Sequence, residues 1–130
     1  IASLNGTTPL GWLDYAKQIQ QAGADALELN VYFMATDLAE NAETLERRTL
    51  DLDKAVKSAV KLPVAVKLSP YFSALPHFAK SLESAGADAL VLFNRFLQPD
   101  IDIENLEVAP AIELSTPQVL RLRVQWLAVQ

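Results

Sequence analysis

The stretch AGADAL occupies residues 22–27 and is written again, letter for letter, at residues 85–90. Each copy runs into a short apolar segment that ends in asparagine, ALELN in the first and ALVLFN in the second. A glycine placed just after a helical pattern and just before a strand-like one marks a left-handed helix end, because glycine alone adopts positive φ without steric cost. Ala-Asp then forms a short turn, and Ala-Leu enters the strand. The copies lie 63 residues apart with one further strand-and-helix unit between them. Two units in that span give about 31 residues each, the unit length of a (β/α)8 barrel of roughly 250 residues.

Working outward, four apolar runs read as strands: residues 1–5, 26–32, 63–68 and 89–94. Helical patterns separate them. Trp12, Tyr15, Ala16 and Ile19 recur at the spacing of one buried helix face. Thr8 is placed to cap that helix, with Pro9 at its first position. A second helix begins between residues 40 and 44 and carries Leu45, Leu52, Val56, Ala59 and Val60 on its apolar side. A third carries Leu75, Phe78, Ala79 and Leu82. A fourth begins near Pro117, capped by Ser115 or Thr116, and carries Leu120, Val124, Leu127 and Ala128. Trp12 and Trp126 both fall on apolar stripes and are expected in the core. Alternation of strands and helices implies a parallel sheet wrapped by helices.

Two architectures fit that order. A doubly wound sheet needs strands that are apolar on both faces. Here polar residues recur on one parity, as Ser3 and Asn5, Glu28 and Asn30, and Lys67. A barrel interior accepts such residues near its C-terminal rim, where barrel active sites lie. The expected fold is therefore α/β, a TIM barrel of which this chain supplies the central half, about strands 3–6. All 130 residues are expected in one domain. The chain opens on a strand-like run without methionine and ends within a helical pattern, as a piece of a longer chain would.

Composition excludes several function classes. Hydrophobic residues make up 51% of the chain, enough for a core. The net charge is −5, and no basic patch suits nucleic acid. No apolar run reaches the length of a membrane helix. Cysteine is absent, which removes disulfides, thiolate metal sites and thiol nucleophiles. Four glycines leave no phosphate-binding fingerprint. With no leader or membrane signal, the expected location is cytoplasmic.

Asn5, Asn30, Lys67 and Asn94 lie at carboxyl ends of the expected strands. In a β/α barrel these positions converge. Three amides and one ammonium form a hydrogen-bonding floor that suits a planar, polar, electron-accepting ring, and a phosphate or enolate nearly as well. Glu28, one layer below Asn30, needs a partner if it faces inward, and Lys67 on the next strand could supply it. His77 reads as an ordinary surface residue, and the charges of residues 37–61 as a solvated helix face.

The segments ASLNG, AGADALELN, PVAVKLSPYF, LVLFNRF and QPDID, in this order, resemble the FMN-dependent dihydroorotate dehydrogenase family, in its bacterial dihydroorotate dehydrogenase-like branch. The resemblance covers nearly the whole chain. It implies an FMN oxidoreductase of pyrimidine biosynthesis that passes a hydride between a dihydropyrimidine-type ring and flavin. It assigns Asn30 and Asn94 to flavin and substrate, and Lys67 to the flavin ring, where it steadies the reduced, anionic form. Asn5 is a looser match at the substrate side. Residues 98–114 correspond to the insertion after the sixth strand. The implied partner is a small-molecule substrate, with neither nucleic acid nor membrane, and self-association of the chain stays open.

One departure is chemical. The family's fourth strand is followed by a cysteine or serine that acts as base, then proline and a second substrate-binding asparagine. This chain has Phe33 where the base would stand and Ala35 where the asparagine would. Phenylalanine takes no proton. The base is thus unknown, with Tyr32 and Ser69 as candidates, or the substrate differs. The strands that would build the usual phosphate site are missing, so this piece is not expected to hold FMN tightly. Two other readings stay open: a flavin-binding barrel without the catalysis, and a flavin-free barrel enzyme that uses Lys67 on a phosphorylated metabolite.

Overall fold

The computed structural model describes residues 1–33, 35–94, 99–109 and 116–129. These divide into two compact units, Ile1–Asn94 and Arg95–Gln130.

The first unit is built from β1 (Ala2–Leu4), α1 (Pro9–Gln21), β2 (Leu27–Asn30), α2 (Ala42–Ala59), β3 (Val64–Leu68), α3 (Leu75–Ala85) and β4 (Ala89–Leu92). Local chemistry starts α1 and α2 where the sequence implies, whereas α3 opens after Ala74 without a side-chain cap. Thr8 Oγ1 accepts the Gly11 amide at 3.2 Å, and Pro9 opens α1. Asn41 Oδ1 accepts the Thr44 amide at 2.9 Å to start α2, with Glu43 in the first turn and Lys57 in the last, both favourable to the helix dipole. Gly23 and Gly86 have φ of +87° and +121°, so both repeated glycines turn the chain left-handed. At the second repeat the turn is tied down further: Asp88 accepts the Val64 amide at 2.7 Å and pairs with Lys57.

The four strands are parallel and lie in the order β1-β2-β3-β4, each beside its neighbour in sequence. Within these strands the winding never reverses, so the sheet has no doubly wound switch point. Alternation sorts its faces. Leu4, Leu27, Leu29, Val64, Val66 and Leu68 are at most 5% exposed. Burial of each is worth roughly 1.5–3 kcal/mol. On the helices Trp12 and Ala16, Val56, Leu75, Phe78 and Leu82 are buried too. Adjacent helices touch, α1 with α2 and α2 with α3. The opposite face of the sheet carries Ser3, Glu28, Asn30, Ala65 and Lys67, none of them buried. An α/β fold with a parallel four-stranded sheet is therefore established, and this one-sided covering is compatible with part of a barrel.

Several expectations need correction. The strands are shorter than the apolar runs, because the runs include the turn residues at each end. Tyr15 is 57% exposed rather than buried: α1 needs only a narrow stripe against its neighbours, and Trp12 and Ala16 fill it. In the second unit, residues 98–114, the expected insertion after the sixth strand, carry regular structure that the apolar runs do not announce. An antiparallel hairpin joins β5 (Asp100–Asp102) to β6 (Glu107–Ala109). Its turn is organised by Asp102, whose Oδ1 accepts the Glu104 and Asn105 amides. These bonds hold the Asp102 carboxyl below its usual range, the Asn105 side chain contributing most. Residues 98 and 110–114 of that stretch lie outside the described residues.

The fourth helix, α4 (Val119–Leu127), starts two residues later than expected. Gln118 occupies its cap position without a side-chain bond, so Thr116 does not cap it. Thr116 instead offers its carbonyl to the Val119 amide at 3.1 Å. Ser115 lies outside the described residues. None of the helix's residues is buried, Trp126 included, so the apolar stripe does not form core. An apolar stripe reports a capacity to pack; burial requires a neighbour. Among the described residues no helix is long and apolar enough to cross a membrane.

Candidate functional site

Residues with polar chemistry gather on the uncovered face of the sheet, toward the carboxyl ends of the strands. Strand register sets two layers. In the lower, Ser3 lies opposite Glu28, and Glu28 opposite Ala65. In the upper, Asn30 lies opposite Lys67.

Two contacts join these residues. Asn94 Nδ2 donates to Asn30 Oδ1 at 2.7 Å, which bridges β2 and the segment after β4 across 64 residues of chain. The Asn94 amide also continues the ladder by donating to Leu68 O at 2.7 Å. Between these segments stands β3, so Asn30, Lys67 and Asn94 come from β2, β3 and the segment that follows β4. The Leu92–Phe93 peptide between β4 and Asn94 is cis. In the second contact, Lys67 Nζ lies 3.5 Å from Glu28 Oε1, and Ser3 Oγ donates to the same oxygen at 3.0 Å. The expected Glu28–Lys67 partnership is therefore present, with Ser3 as a third member. The Lys67 and Glu28 side chains are 26% and 20% exposed, so water screens the pair less than it would a surface pair.

The amide pair has a definite hydrogen-bonding character. Asn94 spends one N–H on Asn30, and Asn30 spends its carbonyl in return. Asn94 keeps its carbonyl and Asn30 keeps its NH2. The pair thus offers an acceptor and donors side by side, which suits the edge of a ring carrying adjacent N–H and C=O groups. Asn5 stands apart: it is exposed just past the end of β1, and no side-chain contact joins it to the other three.

The segment after β2 carries the chemical departure. Phe33 lies under Arg48 of α2, the guanidinium carbon 5.0 Å from the ring centroid. Arg48 also pairs with Glu40. Phe33 is thus held by a cation on its face, a contact that needs an aromatic ring and that a serine or cysteine could not make. Sequence reasoning missed this clamp. Its only signal was an arginine on the first half of α2, which looked like solvated charge. Of the other candidates for a base, Tyr32 is pushed above its usual value, first by burial and second by Tyr71, which keeps its phenol protonated near neutral pH. Ser69 is buried directly after β3. His77 is exposed on α3. Met34 lies outside the described residues.

No family model matches the chain. Curated relatives do. Over 106 residues, 80% of the chain, it is 36% identical to the dihydroorotate dehydrogenase B (NAD(+)) catalytic subunit of Geobacillus sp. (strain WCH70). It is 35% identical over the same length to the subunits of that name from Anoxybacillus flavithermus and Bacillus cereus. The matched stretch is 34% of the Geobacillus protein, so the chain spans about a third of the length of these relatives.

Proposed function

From this kinship to dihydroorotate dehydrogenases, we propose that the chain is the central part of a single FMN-binding TIM-barrel domain, strands 3–6 with their helices and no second domain. The whole protein would be a cytoplasmic oxidoreductase acting on a small dihydropyrimidine-type ring. The observation that carries this reading is the meeting of Asn30, Asn94 and the Lys67–Glu28 pair on one open face, at the carboxyl ends of parallel strands. Barrel enzymes place their chemistry there.

The donor set fits a flavin. A planar ring with C=O and N–H groups along its edge matches the free acceptor and donors of the Asn30–Asn94 pair. An ammonium beside it matches a ring that gains negative charge on reduction. Asn30, Lys67 and Asn94 would hold the cofactor, and Asn5, Asn30 and Asn94 would meet the substrate. When bound, FMN supplies the hydride acceptor. The chain's residues do the rest. The two asparagines orient the ring edge, Lys67 supplies positive charge, and the apolar layer beneath, with Leu29, Val66 and Leu68, keeps the strands rigid.

Phe33 favours a second reading for the substrate side. Clamped under Arg48, it takes no proton and fills the place where the resemblance puts the base. The parent would then bind flavin but not oxidise dihydroorotate.

The test is the visible spectrum of the full-length protein that contains this chain. Flavin absorption, weakened or reshaped by Lys67→Ala, is the expected result. Dihydroorotate is then added without oxygen. Bleaching assigns the dihydroorotate reaction; a spectrum that stays unchanged with dihydroorotate but bleaches with dithionite assigns the altered-substrate reading. A colourless protein that cannot be reconstituted with FMN would sink both.

A further inference from the structure

Lys67 does not reach toward its register partner. Asn30 faces it directly across β2 and β3, yet its ammonium pairs with Glu28, one layer lower. The position opposite Glu28 on β3 is Ala65, whose methyl group leaves the space above it to the longer lysine chain. Glu28 is not free to swing after it. Ser3, opposite on β1, donates to the same Oε1 that Lys67 approaches. Three adjacent strands thus contribute one member each to a line of serine, glutamate and lysine, and that line lies below the Asn30–Asn94 pair.

We propose that Glu28, held by Ser3, is the positioning residue of this site: it draws the Lys67 ammonium down beneath the amide pair and sets how much positive charge the floor presents. The proposal rests on the reading that an electron-accepting ring lies on that floor. A cation with a carboxylate beside it acts at a distance as a dipole rather than a full charge, and its field falls off faster. A ring that takes on negative charge above it must compete with Glu28 for Lys67. Glu28 therefore tempers the site, and Ser3, by fixing Oε1, fixes where the ammonium rests.

The first experiment needs no cofactor. Full-length protein stripped of ligand is treated briefly with acetic anhydride, and acylation of Lys67 is followed by mass spectrometry. Lys54 and Lys80, both exposed, serve as internal standards. Glu28→Gln keeps the shape and an acceptor for Ser3 but removes the charge that holds the ammonium. Acylation of Lys67 should rise by at least about threefold, the scale of a partly screened ion pair, with the standards unchanged. Ser3→Ala, at an exposed position, should give a smaller rise in the same direction. An unchanged Lys67 rate in a folded Glu28→Gln protein overturns the proposal, as does a Lys67 rate that rises only in step with the standards.

The second experiment uses flavin-loaded protein. Glu28→Gln should move the reduction potential upward, and the move should shrink by at least half in a Lys67→Met background. An equal shift without Lys67 would mean that Glu28 acts on the ring directly, and the positioning role would fall. A protein that takes up no flavin would end the cofactor reading, while the acylation result would still decide the role of Glu28.

Discussion

Asp53 is the residue whose environment is least favourable. It lies on the inner side of α2, 1% exposed, and neither of its oxygens has a hydrogen bond. Burial pushes its carboxyl up to about 6; Lys57, one turn on, opposes that rise, and Asp88 adds to it. The Ala87 amide also faces Asp53, but it is already donated to Leu82 O at 3.1 Å. The sign of the pH effect follows. The folded carboxyl holds its proton more tightly than the unfolded one, whose value is near 3.8. Stability therefore falls as pH rises from about 4 to about 6, and is level above that. Asp53→Leu should remove this slope and raise stability at pH 7.5 by up to about 3 kcal/mol, read as a shift in denaturation midpoint. A variant that keeps the wild-type slope would show that Asp53 is not its source.

Close approach matters at two glycines. A Cβ on Gly6 would come within 2.8 Å of the buried Trp12 ring. At Gly86, φ is +121° and a Cβ would meet Lys57 Cγ at 3.0 Å. Gly86→Ala is expected to cost roughly 1–2 kcal/mol through the left-handed backbone alone, measured by chemical denaturation. Gly23→Ala has the same backbone penalty without the contact, since nothing lies within 4 Å of its Cβ position. It should be the milder of the two, although the sequence writes both glycines in the same six letters.

At the scale of elements, the α1 cap and the two glycine stops are legible in the sequence, while the α4 cap and the packing partners are not. Thr8 caps α1 as its spacing from the apolar stripe implies, and Thr8→Ala should cost about 1 kcal/mol without altering the sheet, which thermal unfolding and circular dichroism would check together. Such signals are local: a hydroxyl, a proline and a helical period within one turn. The β5–β6 hairpin was missed because its strands have three residues each, too few for alternation to register. Its turn also places Leu106 at φ 55°, where glycine or asparagine would have announced it. Helix α4 failed in the opposite sense: its stripe was read correctly, but its burial was inferred from a neighbour that the stripe cannot supply.

At the scale of the molecule, the sheet is finished on one face only. Among the described residues β1 and β4 are each paired along one edge, and Ser3, Glu28, Asn30 and Lys67 line a face that no helix of the first unit covers. Leu120, Val124 and Leu127 in the second unit are all more than half exposed. The 130-residue chain on its own should therefore self-associate, with a sedimentation coefficient that rises with concentration. It should also bind FMN far more weakly than the full-length protein. A monomer at all concentrations with full flavin affinity would contradict both expectations.

What the sequence determined by itself is what backbone geometry makes periodic or local. It decided the alternation of strands and helices, the two left-handed glycine turns, the starts of α1 and α2, and which parity of each strand is apolar. It also placed Asn30 and Lys67 near the same strand ends, and the family resemblance named their chemistry. Tertiary structure alone decided that Asn94 meets Asn30 while Asn5 meets neither, that Ser3 joins the Lys67–Glu28 pair through Glu28, that Arg48 covers Phe33, and that Asp53 is buried without a hydrogen bond. Each of these depends on the register between strands, or on how a helix lies against its neighbour. A shift of one residue or a few ångströms would choose different partners for the same side chains, and no short stretch of sequence records that choice.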